Sequence, residues 1–104
     1  MTPDRLEDAQ IDEAVAPLLE TGWTLAADRA SMSKTFVFGG FVQAFGWMTQ
    51  VAIWAEKLNH HPDWANSWRE VRVTLSTHDA GGLTERDVAL ARRMDKLAAA
   101  AASG

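Results

Sequence analysis

The stretch Glu56-Lys57-Leu58-Asn59-His60-His61-Pro62-Asp63-Trp64-Ala65-Asn66-Ser67-Trp68-Arg69-Glu70-Val71-Arg72-Val73-Thr74-Leu75-Ser76-Thr77-His78-Asp79 decides how the chain folds. In its second half Val71, Val73 and Leu75 alternate with Glu70, Arg72, Thr74 and Ser76. That two-residue period predicts a strand over 70–77 with one buried face, and it makes Arg72 a solvated strand residue. In its first half an apolar helical pattern stops at Leu58, and Pro62 pushes His61 out of helical backbone. A short extended piece follows over 63–66, with a turn near Ser67. All three histidines of the chain lie inside the stretch, His60 and His61 where the helix stops and His78 where the strand stops. Converging element ends are places where a fold can gather side chains into a pocket.

Upstream, Phe41 to about Leu58 is predicted as the dominant helix, after the break Gly39-Gly40. At 100° per residue it carries two apolar seams. Phe41, Ala44, Phe45, Met48, Ala52 and Ala55 form the first, and Trp47, Val51, Trp54 and Leu58 the second. A surface helix needs only one such stripe. The first seam is expected to cover a sheet, and the second to be buried between subunits. Two strands are predicted before it, 23–27 and 32–38, joined by Asp28-Arg29-Ala30-Ser31, with Phe36 and Phe38 on one face. Before those, Ile11, Ala14, Val15, Leu18 and Leu19 mark one helical stripe from about Asp8 to Glu20. Asp8 is its expected N-cap and Pro17 a source of bending, and Thr21-Gly22 ends it.

Downstream, Asp79-Ala80-Gly81-Gly82 reads as a turn, and Thr84 with Asp87 three residues on is similar to a capping box opening a last helix. Val88, Ala91, Met94, Leu97 and Ala98 supply that helix's inner face, while the alanine-rich tail from about 98 to 104 is expected to fray. The order α-β-β-α-β-β-α gives an α+β class, with a four-stranded antiparallel sheet carrying its three helices on one face. With 104 residues the chain is expected to be one domain, 1–104.

Apolar residues make up 47% and charged residues 23%, an ordinary globular balance. A net charge of −4 argues against direct nucleic-acid binding, which favours a basic face. Zero cysteines exclude disulfides and thiolate chemistry. The acidic, polar start Met1-Thr2-Pro3-Asp4 is not expected to act as a signal peptide, and 40–55, interrupted by Gln43 and Gln50, falls short of a membrane span. The expectation is a soluble cytoplasmic protein with no membrane partner.

Three readings compete for the histidines. They can be capping residues at helix ends, favoured by the dipole. They can be metal ligands, but vicinal residues in extended backbone point apart, and neither cysteine nor a His-x-x-x-His spacing is present. They can be acid/base groups, histidine being the side chain that ordinarily exchanges protons near neutrality.

The spacing favours the last reading, because it resembles the pterin-4a-carbinolamine dehydratase family. That family's signature reads here as Glu56, His60-His61-Pro62, Trp68, His78 and Asp87, with every interval matching. Gly22-Trp23, the run 44–49 and the run 82–87 extend the resemblance over about 6–97. The resemblance implies a hydro-lyase (4a-hydroxytetrahydrobiopterin dehydratase) that expels water from a 4a-hydroxytetrahydropterin, with the pterin as substrate and no further cofactor or metal. His60, His61 and His78 would be catalytic. Asn59, Pro62, Ser76, Thr77, Asp79 and Trp23 would join them in binding the substrate, with Glu56 and Asp87 in support. Glu56 lies four residues before His60, so it is placed to accept from an imidazole. Asp87 reads as more structural than catalytic. The resemblance also implies self-association through helix 41–58 as dimer or tetramer, and a role in recycling tetrahydrobiopterin for an aromatic amino-acid hydroxylase. Two alternatives stay open: a dimerisation cofactor of a transcription factor, and a relative acting in molybdopterin metabolism.

Overall fold

A computed structural model describes residues 3–103, with side chains through Ala101. These residues form α1 (Asp8–Glu20), β1 (Thr24–Leu25), β2 (Met32–Val37), α2 (Phe41–Leu58), β3 (Asp63–Ser67), β4 (Glu70–Leu75), a short 3-10 turn (His78–Ala80) and α3 (Glu85–Ser103). The element order is the predicted one. The four strands lie in the order β1-β2-β4-β3, every neighbouring pair antiparallel.

The alternation in β4 works as the sequence requires: Val71, Val73 and Leu75 are fully buried. Met32 and Phe36 lie opposite Leu75 and Val71, so they share the buried face. β1, β2 and β4 are shorter than expected, because pairing stops where turns begin, whereas β3 runs one residue further than expected, to Ser67, which pairs with Glu70. The β1–β2 turn is closed by the Ala26 N–H donating to Ser31 O at 2.9 Å. β3 and β4 are joined by two residues, Trp68 and Arg69, with Trp68 at φ 53°. The Asn66 amide fixes that hairpin tip by donating to the carbonyls of Trp68 and Glu70.

The N-cap of α1 is Glu7 and not Asp8: the Glu7 N–H donates to Gln10 Oε1 at 2.8 Å, which shifts the cap one residue earlier. Asp8 sits in the first turn and pairs with Arg29. Pro17 is accommodated inside α1, since both it and Glu13, whose carbonyl loses its partner, face water. At the other terminus α3 runs to Ser103 and does not end near 98. Alanine is the strongest helix former, and Leu97 and Ala98 pack against the core. Gly104 lies outside the described residues.

The buried face of α2 cuts across both seams. Trp47 and Val51 of the second are buried together with Ala44 and Ala55 of the first, whereas Phe41, Phe45 and Ala52 of the first are exposed, as are Val42 and Ile53. Trp47 is the reason. Its ring lies 4.5 Å from Phe36, 5.1 Å from Phe38 and 6.2 Å from Trp64, and its indole N–H donates to Met94 O on α3 at 3.1 Å. Only a position between the sheet and α3 satisfies both the ring and its N–H. Trp54, also expected in a subunit contact, is half-buried, with the Arg93 guanidinium 3.7 Å from the centre of its ring.

Candidate active site

The end of α2 is built by the sequence 59–62. Asn59 is left-handed (φ 51°), the His60 N–H donates to Ala55 O at 3.0 Å, and the Asn59 N–H donates to Glu56 O at 3.1 Å. This is a Schellman cap, with asparagine tolerating the conformation that glycine usually supplies. The chain then reverses through His60-His61-Pro62 into the edge strand β3. As the extended backbone predicts, the two histidines diverge. His60 turns inward and is 8% exposed, whereas His61 points out.

His60 meets a buried carboxylate. Its Nε2 lies 2.5 Å from Asp87 Oδ1, and Asp87 is fully buried. The other oxygen, Oδ2, accepts from Thr77 Oγ1 at 2.8 Å and from the Thr84 N–H at 2.9 Å. Because the Thr77 hydroxyl donates to Asp87, the Thr84 hydroxyl donates in turn to Thr77 Oγ1 at 2.9 Å. Thr84 Oγ1 accepts from the Arg86 N–H at 3.3 Å. The predicted capping pair is therefore real, and the same carboxylate also orients an imidazole. Among the described residues no buried side-chain nitrogen or oxygen lacks a partner.

Glu56 accepts from His61, at 2.6 Å from its Nε2, and not from His60 one helical turn away. Asp87 occupies the His60 ring nitrogen first, and the outward turn of His61 brings that ring back over the last turn of α2. Both members of the Glu56–His61 pair are mostly exposed. His78 opens the 3-10 turn that follows β4, where a Thr77–Gly82 bridge and left-handed Gly81 (φ 76°) close the loop. Its side chain is exposed, with Nε2 3.5 Å from Asp63 Oδ2.

Asn59, His60, His61, Ser76, Thr77, His78, Asp79 and Arg86 surround one cleft of about 370 Å³, within the range that small-molecule sites occupy. The three histidines thus meet, together with the predicted main chain on either side. Pro62 shapes the approach without lining the cleft, and Ser76 spends its hydroxyl on Ala30 O at 2.8 Å. Trp23 is a correction. It is 2% exposed, lies edge-on to Phe36 at 5.9 Å, and its indole N–H donates to Asp95, so it is a core residue away from the cleft. Trp68 is likewise outside the cleft, exposed at the hairpin tip. Arg86 was not anticipated. Its Nη1 donates to Asn59 O at 3.3 Å, from the first turn of α3 to the end of α2. Its position after the Thr84 cap was the one available signal. A wider depression of about 790 Å³ lies over the sheet near Thr35, Arg72 and Thr74 and holds none of the histidines. Among the described residues no group of three His, Cys, Asp or Glu is arranged to hold a metal ion. No helix among them is long and apolar enough to cross a membrane.

Fold and cleft together define a small α+β domain whose imidazoles, each with a carboxylate beside it, can exchange protons with a bound small molecule. The chain belongs to the pterin 4 alpha carbinolamine dehydratase family, whose model matches residues 4–97. It is 56% identical over 95 residues to a protein of Jannaschia sp. (strain CCS1), provisionally named pterin-4-alpha-carbinolamine dehydratase, covering 91% of this chain and 97% of that one. A Rhizobium rhizogenes (strain K84 / ATCC BAA-868) protein with the same provisional name is 59% identical over 99 residues, covering 95% and 96%. Among solved structures, a transcriptional coactivator/pterin dehydratase from Brucella melitensis superposes with a TM-score of 0.85 at 42% identity, covering 91% of this chain and 99% of that one. A pterin dehydratase-like protein described as a RuBisCO assembly factor in the alpha-carboxysome gives a TM-score of 0.64 at 27% identity, covering 74% and 89%.

Proposed function

We propose that the protein dehydrates a 4a-hydroxytetrahydropterin to the quinonoid dihydropterin and water, by histidine acid/base catalysis in the cleft between α2, β4 and α3. The observation that carries this reading is the convergence of His60, His61 and His78 on one cleft in a chain of this family. The reaction balances with protons alone. An imidazole gives a proton to the C4a hydroxyl, the C4a–O bond breaks and water leaves. The N5 lone pair forms the C4a=N5 bond, and a second imidazole takes the N5 proton. His60 and His78 serve the leaving hydroxyl, while His61 orients and binds. Main chain at Asn59 and from Ser76 to Asp79 holds the amide edge of the ring. The physiological context would be pterin recycling for an aromatic amino-acid hydroxylase in the cytoplasm.

The test is a coupled assay with such a hydroxylase, following decay of the 4a-carbinolamine. Added protein should accelerate the decay, and a rate equal to the spontaneous one would remove the proposal. Strong chelators should leave the rate unchanged, since each histidine already has its Nε2 beside a carboxylate instead of sharing a chelate. Loss of activity on exhaustive chelation, restored by one metal, would overturn the acid/base reading.

Self-association through α2 is part of the same proposal, with a face different from the one the sequence suggested. Phe41, Val42, Phe45 and Ile53 are each at least half exposed along one side of the helix. Such an apolar strip on so small a domain favours a partner helix. Phe45→Glu should convert an oligomer to monomers in sedimentation at micromolar concentration, while Trp54→Gln should leave it intact. A wild-type monomer, or an oligomer indifferent to Phe45→Glu, would contradict this. The same face supports a second reading, as an interaction protein, which the coactivator half of the Brucella protein's description favours. Histidine substitutions separate the two, because binding through α2 needs no imidazole.

A further inference from the structure

We propose that Asp63 is the positioning residue of His78, completing a set in which each cleft imidazole has a carboxylate at Nε2, which leaves Nδ1 of His60 and His78 to exchange protons with the substrate. The inference rests on the dehydratase reading for its kinetic consequence but not for its structural one. Three pairs carry it: His60 Nε2 with Asp87 at 2.5 Å, His61 Nε2 with Glu56 at 2.6 Å, and His78 Nε2 with Asp63 at 3.5 Å. The carboxylates come from three different elements, α3, α2 and β3, yet each approaches the same ring nitrogen.

A carboxylate beside Nε2 keeps a proton on that nitrogen, because only the N–H form can donate to it. In the neutral ring Nδ1 is then the base, and in the cationic ring Nδ1–H is the acid. A histidine shared between two tautomers would spend part of its time with the wrong nitrogen protonated. Asp63 is delivered by the chain itself: it directly follows His60-His61-Pro62, and its pairing with Thr74 sets it against the end of β4, four residues before His78. At 3.5 Å the pair is an ion-pair separation and not a closed hydrogen bond, and both side chains are exposed. Contacts of this kind are often long in a free enzyme and tighten once substrate excludes water.

The experiment follows the histidine ring nitrogens by ¹⁵N NMR in the wild type and Asp63→Asn, free and saturated with 7,8-dihydropterin, which has no hydroxyl to lose. In the pterin-bound wild type His78 should sit in the Nε2–H tautomer, and in Asp63→Asn it should become a mixture or invert, with His60 unchanged. Kinetically, Asp63→Asn should lower kcat about tenfold with KM within twofold, since a misoriented acid/base group loses part of the ~10²–10⁴-fold that positioned proton transfer supplies. Asp63→Glu should recover most of the loss, and Asp63→Asn should cost nothing further in a His78→Ala background. An unaltered His78 tautomer in Asp63→Asn overturns the proposal, as does an equal kinetic loss in both backgrounds. If the wild type fails to dehydrate the carbinolamine, the functional reading falls, and the tautomer measurement still decides the role of Asp63.

Discussion

Replacing His60 and His78 together by alanine is expected to abolish nearly all of the catalytic acceleration, on the order of 10²–10⁴-fold in kcat. Either change alone should leave a substantial part, because the remaining imidazole can still protonate one of the two 4a stereoisomers. His61→Ala should raise KM more than it lowers kcat, as expected of a group that binds in ground and transition state alike. The two positions proposed as catalytic differ in structural cost. His78 is exposed, so its loss should not affect folding. His60 is buried against Asp87, and its removal leaves a buried acceptor short of one partner, at about 1–3 kcal/mol. A His60→Gln variant, which keeps an N–H donor there, separates lost chemistry from lost stability. Dehydration kinetics on each stereoisomer are the measurement. Wild-type kcat and KM in the double variant would remove the histidines from the mechanism and leave the interaction-protein reading.

Asp87 should give the other large effect, and its two simplest substitutions should act differently. Asp87→Ala removes an acceptor for three donors: His60 Nε2, the Thr77 hydroxyl and the Thr84 N–H. Each buried donor left without its acceptor costs roughly 1–3 kcal/mol. Against the roughly 5–15 kcal/mol that a whole domain has, that is a drop of many degrees in Tm. Asp87→Asn should fold better. Its oxygen can keep the Thr77 and Thr84 donors, which turns the amide NH₂ toward His60 and forces that ring to present Nε2 as an acceptor. The tautomer is then inverted with the cap intact. An inverted tautomer disables a catalytic triad histidine, so the loss in kcat expected here is that of His60→Ala, with nearly normal KM. Thermal unfolding and kinetics on both variants check this. Asp87→Asn with wild-type kcat would make the carboxylate purely a helix cap.

Much of the site follows from local chemistry. The Asn59-His60-His61-Pro62 run specifies a helix stop, an extended exit and two diverging rings, because each step is a constraint between neighbours in the chain. The same holds for the Thr84–Asp87 cap. Neighbour rules do not choose between partners from different elements. Glu56 could reach either adjacent histidine by spacing, and what excludes His60 is Asp87, 27 residues further on. Trp23 illustrates the opposite error. A flat ring next to a glycine is compatible with a binding role, but the ring is enclosed by Phe36 and its N–H is taken by Asp95.

By itself, then, the sequence determined the element order, the alternating buried face of β4, the α+β class, and the arrival of three histidines at element ends. Those properties are written in periods of two and 3.6 residues and in backbone limits at Pro62 and Asn59, all of which act within a few residues. Only the tertiary structure decided which members of the two α2 seams face inward, which carboxylate holds which imidazole, and that Arg86 borders the cleft. Two apolar seams on one helix are equivalent until a neighbour makes them unequal. Trp47 becomes core because α3 offers the Met94 carbonyl to its indole N–H and the sheet offers Phe36 and Phe38 to its ring, while Phe41 and Phe45 on the opposite side have no such neighbours and stay exposed.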